Sequence, residues 1–118
     1  MKEKVIIDGI KYIRADAVNT PSTSGAVIVR SESAGVFFGI PKCTDLSKGL
    51  VTLENARRIW YWDGAASLSQ LAMDGPSKPE NCKFPVAVPL IEIAKVIEVI
   101  PCTDRAMKAI NAVPIWKK

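Results

Sequence analysis

The chain has 118 residues, 48% of them hydrophobic, a formal net charge of +4 and no histidine. That length holds one domain around one core, and the lack of histidine removes the usual general base, which excludes Ser-His and Cys-His hydrolases. No apolar run approaches the roughly 18 residues that span a bilayer, and the first eight residues lack the uninterrupted apolar stretch of a secretion signal, so a cytoplasmic protein without membrane contact is expected.

Residues 5–14 read as two short strands about an Asp8-Gly9 turn, because β-branched and aromatic residues flank the strongest short hairpin signal. Residues 19–25 supply Asn, Thr, Pro, Ser and Gly in close succession and predict a loop, or a joint that sets residues 1–25 apart as an N-terminal appendage. The apolar runs 26–30 and 36–40 predict a hairpin with a five-residue connection, followed by a polar loop over 41–49. Residues 50–53 and 57–62 are the next strand candidates. On the second, a period of two puts Arg58, Trp60 and Trp62 on one face and Arg57, Ile59 and Tyr61 on the other.

Ser67 and Gln70 have capping-box spacing and open a helix of about two turns, which Gly75-Pro76 ends. Residues 76–85 carry three prolines and predict an irregular loop. The valine- and isoleucine-rich segments 84–88 and 90–100 read as strands, although 96–100 is also compatible with a helix. Thr103 caps a final short helix with Asn111 as its stop, and 113–116 form an extended tail. Six to eight short strands and two short helices, joined in sequential hairpins, define an α+β class: a mostly antiparallel sheet or small barrel.

The positive charge is not in the centre of the chain. Residues 26–100 hold eight Lys/Arg against eight Asp/Glu, and the surplus comes from the ends, including Lys2, Lys4, Lys117 and Lys118. A DNA groove needs clustered cations in the folded body, so no DNA partner is expected. Cys43, Cys82 and Cys102 are widely spaced and form no C-x-x-C pair. Reduced structural thiols without a metal follow.

The densest chemistry lies at residues 57–62, two arginines followed by Ile59 and three large aromatics. Guanidinium groups match phosphate and aromatic faces stack on planar rings, so Arg57, Arg58, Trp60 and Trp62 can line a nucleotide pocket. Equally, the tryptophans can fill a core and the arginines lie on a surface. Arg30 at a strand end is a second phosphate donor or an exit to solvent. Asn81 is a loop former or a reader of an adenine edge, and Phe84 follows it out of the proline-rich loop. Thr103 is a helix cap or part of an anion site. No phosphate loop, metal cluster or carboxylate pair is present, so no catalytic residue is assigned and the chain reads as a non-enzyme needing no cofactor.

Residues 26–116 resemble a family of small phage-encoded proteins. The resemblance is carried by Val27-Ile28-Val29-Arg30, by Ser33-Ala34-Gly35-Val36, by the block from Ala56 to Ala72, by Lys78-Pro79-Glu80-Asn81-Cys82-Lys83-Phe84, and by Ile97-Glu98-Val99-Ile100-Pro101-Cys102-Thr103. The pattern is similar to phage Thoeris anti-defence sponge proteins, which sequester cyclic ADP-ribose signals and in some cases the cyclic oligonucleotides of CBASS-type immunity. That resemblance implies a homo-oligomer in the host cytoplasm with a cyclic nucleotide as its partner. Arginines (Arg30, Arg57 or Arg58) would hold phosphate, an aromatic would stack on adenine and Asn81 would read its edge. Thr103 would belong to a second, oligonucleotide site, where Cys102 stands in place of an arginine. Two other classes are a phage accessory module that binds a protein through the aromatic block, and a signal-cleaving enzyme.

Overall fold

The structure, a computed structural model, describes residues 23–117 together with the backbone of Ile6–Ile7 and Lys11–Tyr12. The two short N-terminal strands, β1 (Ile6–Ile7) and β2 (Lys11–Tyr12), pair antiparallel, Ile6 opposite Tyr12, as the Asp8-Gly9 signal implies. Residues 8–10 and 13–22 lie outside the described residues.

Five strands form one open antiparallel sheet: β3 (Thr23–Ser31), β4 (Gly35–Asp45), β5 (Leu50–Arg58), β6 (Val88–Ile93) and β7 (Val96–Thr103), in the spatial order β6-β5-β4-β3-β7. Helices α1 (Leu68–Asp74) and α2 (Asp104–Asn111) complete the α+β fold. None of the described helices is long and apolar enough to cross a membrane.

β3 shows why a strand in this protein reads as an unbroken apolar run. Its side chains alternate between two cores, so both faces need hydrophobic residues. Ala26 and Ile28 pack with Phe38, Leu71, Phe84, Cys102 and Ile110 on the side where the helices lie. Val27 and Val29 pack with Phe37, Val51, Leu53 and Ile93 on the other.

The second cluster has no helix over it, yet Val29 and Leu53 are completely buried. The sheet covers it by curling. Its two edges, β6 and β7, are separated by Ala94 and Lys95 alone, so the edges must meet at that end. Ser31 Oγ donates to Ala94 O (2.8 Å), Glu32 N to Lys95 O (2.9 Å) and Val96 N to Gly49 O (3.0 Å), which fastens the meeting point. Register shifts in β4 between Phe38 and Ile40 and between Pro41 and Cys43 supply the bend. Asn55 (φ 50) bulges out of β5, and Lys95 (φ 56) makes the sharp link.

Several boundaries differ from the sequence reading. β3 begins at Thr23, inside the expected loop 19–25, and β4 runs on to Asp45, through most of the expected loop 41–49. Polar residues suffice there because the extended hairpin is largely exposed on one side. The expected strands 50–53 and 57–62 are one strand that stops at Arg58, beyond which Tyr61 makes a single bridge to Lys83. Residues 84–88 are not a strand, since only Val88 belongs to β6, and the stretch 90–100 is two strands. The caps are as read: Ser67 Oγ accepts from Gln70 N, and Thr103 Oγ1 from Ala106 N. Within the loop 76–85, Pro79–Asn81 form one 3₁₀ turn.

Candidate functional site

Arg57 points to the helix side and is buried. Its Nε donates to Pro85 O (3.2 Å), Nη1 to Ile110 O (3.1 Å) and Val113 O (3.0 Å), and Nη2 to Phe84 O (2.7 Å) and Pro114 O (3.5 Å). A guanidinium has five N–H donors, and five carbonyls surround this one. The carbonyls of Ile110 and its successors are those that the end of α2 leaves without intrahelical partners, so Arg57 acts as a cap delivered from the sheet. Burial lowers its pKa. No donor of Arg57 remains for a phosphate, which corrects its reading as a candidate ligand residue.

Phe84 and Thr103 are corrected in the same way. Phe84 is wholly buried in the helix-side core, with the Arg57 guanidinium 5.4 Å from its ring centroid. Thr103 is buried, and its hydroxyl both caps α2 and donates to Met73 O (2.6 Å). Beside it, Arg105 is paired with Asp74. Neither aromatic stacking nor anion binding has a free surface at these two positions.

Arg58, one residue on, faces the inner side of the curl. It stands opposite Phe37 on β4, and its guanidinium lies over that ring at 4.5 Å from the centroid while Nη1 donates to Ala34 O (2.7 Å). Below it opens a cleft of about 230 Å³ lined by Phe37, Ala56, Pro85, Val86, Val88 and Ile91, with Arg58 as its only charged group. The cleft borders the inner core, of which Phe37 and Ala56 are part and against which Ile91 packs.

Arg30 follows the alternation of Ile28 and therefore sits on the opposite face from Arg58. It pairs with its cross-strand partner Glu98 on β7 (Nε to Oε1, 2.8 Å). The two arginines do not converge within one chain.

Past Arg58 the aromatic block becomes irregular. Ile59 is core, Trp60 is 66% exposed, and Tyr61 is half exposed. Trp62 is partly buried against the helix-side core, where its Nε1 donates to Ala65 O (3.2 Å). Such exposure of an indole is unusual for a residue that normally hides most of its area. Trp60 N donates to Lys83 O (3.0 Å), and the Lys83 ammonium lies 5.9 Å from the Tyr61 ring and 5.6 Å from the Trp116 ring. Lys83 and Trp116 were not singled out in sequence, because the pairing of Tyr61 with Lys83 and of Phe84 with Ile115 is made only in the tertiary structure.

Asn81 is exposed, and its Nδ2 donates to Asp63 Oδ2 (2.9 Å). The pair belongs to a staple between two loops. Ser77 N and Oγ both donate to Gly64 O, and Asp63 N donates to Cys82 Sγ (3.4 Å). Burial pushes the Cys82 thiol up in pKa, the carboxylates of Asp63 and Glu80 add to that, and the Asp63 N–H opposes it. Among the described residues no group of three or more potential metal ligands occurs.

Fold and site together define an α+β domain whose curled antiparallel sheet carries an apolar cleft with Arg58 among its lining residues, two positions before an exposed indole. The chain belongs to the family described as a domain of unknown function, DUF6948, which matches residues 24–110. That span runs from the first residues of β3 to the end of α2. Comparison with curated proteins and with solved structures finds no match.

Proposed function

We propose that this protein is a non-enzymatic phage sponge, a homo-oligomer that binds a cyclic nucleotide immune signal of the cyclic ADP-ribose type and withholds it from the host effector. The observation that carries the reading is Arg58: a guanidinium held over the Phe37 ring at the mouth of an apolar cleft, with the exposed Trp60 two residues along the chain. A phosphate would meet the remaining Arg58 donors through charge-assisted hydrogen bonds, and a purine would stack on the indole. Asn81, its amide oriented by Asp63, supplies an edge reader close in sequence to Lys83, which pairs with the same strand end. A cleft of about 230 Å³ is smaller than a site that encloses a nucleotide. A second protomer providing the missing wall, with Arg30 among its contributions, accounts for that deficit.

A thermal-shift screen against cyclic ADP-ribose isomers and cyclic di- and trinucleotides tests it. Ligand at about 100 times its Kd should raise Tm by about 10 °C, and the ligand should be recovered intact after heating. Arg58→Ala and Trp60→Ala should each weaken binding by about tenfold or more, whereas Arg30→Ala should act only in the oligomer. Absence of any shift would overturn the sponge. The reading would then pass to a protein-binding module, favoured by the exposed Trp60, Tyr61 and Ile115 around Lys83.

A further inference from the structure

The sheet carries a larger cavity that the nucleotide reading does not use. It measures about 450 Å³ and lies between the β4–β5 turn and Ala94, the first residue of the link to β7. Its walls follow from the strand register: Asp45 stands opposite Leu50, Cys43 opposite Thr52, and Thr52 opposite Glu92. Residues directly opposite in an antiparallel sheet share a face, while their neighbours Val51 and Ile93, one position off, belong to the inner core. These five side chains therefore share the outer face of the sheet, the side away from the Arg58 cleft.

Beside the cavity stands a projection of matching chemistry. The β4–β5 turn sets Leu46 at its tip, 62% exposed, and exposed Lys48 two residues on. Lys48 N donates to Asp45 O (3.1 Å), Gly49 N to Leu46 O (3.2 Å) and Ser47 Oγ to Asp45 Oδ1 (2.5 Å), so the tip is shaped in advance and loses little freedom on docking. The tip is apolar and basic. The cavity is apolar along Leu50 and Ala94 and acidic at Asp45 and Glu92. A face that carries a projection and its complementary recess side by side is self-complementary, as a two-fold interface must be.

We propose that this face pairs two copies of the chain about a two-fold axis, the Leu46 tip of each protomer entering the cavity of the other and Lys48 meeting Glu92 of the partner subunit. Exposed Ile40 and Leu90, which flank Glu54 on the same face, extend the contact along the sheet. A contact built on one turn and part of one sheet face is small, so the dimer is weak, with a Kd of about 10–100 μM. It leaves the Arg58 cleft free and holds whether or not a nucleotide binds there.

Sedimentation equilibrium of the full chain, carried up to about 1 mM, tests the pairing on the wild type, Leu46→Asp, Lys48→Glu, Glu92→Lys and the double reversal Lys48→Glu/Glu92→Lys. The wild-type mass should climb from 12.8 kDa toward twice that value. Leu46→Asp should raise the dimer Kd about 30-fold or more and each single reversal about tenfold, while the double reversal recovers most of the loss. All three positions are exposed, so the variants should keep the wild-type Tm at low concentration. A wild type that stays monomeric at the highest concentration overturns the proposal and passes the cavity to a small ligand. Self-association that Leu46→Asp leaves unchanged also overturns it, by placing the contact on another surface, and leaves the sponge reading standing.

Discussion

Arg57 and Arg58 are adjacent in the chain and have opposite fates, because alternate residues of a strand face opposite sides. Arg57→Met keeps the stem but removes every guanidinium bond: the Val113 carbonyl loses its donor, while Phe84 O and Ile110 O keep the backbone N–H groups of Trp116 and Val113. It should cost about 3–5 kcal/mol, read as a lower urea midpoint at unchanged slope. Arg57→Lys should recover little of this, since one nitrogen cannot reach carbonyls arranged around a plane. The cysteines divide as sharply. Burial pushes the Cys102 thiol from 9.0 up to about 12. As pH rises past about 9 the unfolded chain loses this proton first, so the contribution is fully present below that pH and is lost between about 9 and 12. Cys102→Ala should flatten that alkaline decline in urea titrations. Only exposed Cys43 should react with iodoacetamide in the native protein, and all three thiols after unfolding.

At the scale of elements, the helices were legible and the strand ends were not. Ser67, Gln70, Gly75 and Thr103 act on backbone groups a few residues away, so their meaning is local. Thr103 has a second task that no local pattern shows: its hydroxyl ties α2 to Met73 of α1. Thr103→Ala should therefore cost about 1–2 kcal/mol, with Thr103→Ser restoring most of it. Gly75 (φ 76) ends α1 where it meets α2, and a Cβ there would lie 2.5 Å from Ala109 Cβ. Gly75→Ala should lower stability by about 2–3 kcal/mol in the same denaturation assay, combining left-handed strain with overpacking between the helices. By contrast, β5 ends at Arg58 although the β-favouring residues continue to Trp62. Ile59 N turns to Val36 O, and Trp60 N to Lys83 O, partners 23 residues away in each direction of the chain; no propensity encodes that.

For the whole molecule, the curl creates both the inner core and the cleft. At the bend, Gly39 brings β4 onto β5: a Cβ would meet Glu54 O at 3.0 Å and Ala56 Cα at 3.2 Å. Gly39→Val should flatten this approach, lowering stability by about 2–3 kcal/mol and opening the pocket around Phe37, which nucleotide-free thermal unfolding and Trp60 fluorescence would register together. The site set read from sequence was reduced by the same geometry. Arg57 and Phe84 went into the interior because residues 83–85 and the tail 113–116 close over β5, and Thr103 because its hydroxyl ties α2 to α1, while Arg58 and Trp60 stayed at the surface.

Residue types and their short-range spacing were enough to establish an α+β chain of hairpins with two capped helices, because turns, caps and alternation depend on neighbours within a few positions. They also concentrated attention on residues 57–62. The side each arginine faces, the carbonyls that occupy Arg57, the Phe37 ring beneath Arg58 and the ammonium of Lys83 between two rings depend on register and on pairings between distant segments. A slip of one residue in β5 would exchange every one of these environments. Such contacts are set when the curled sheet and its two helices pack together, and that packing is not written in any single stretch of the chain.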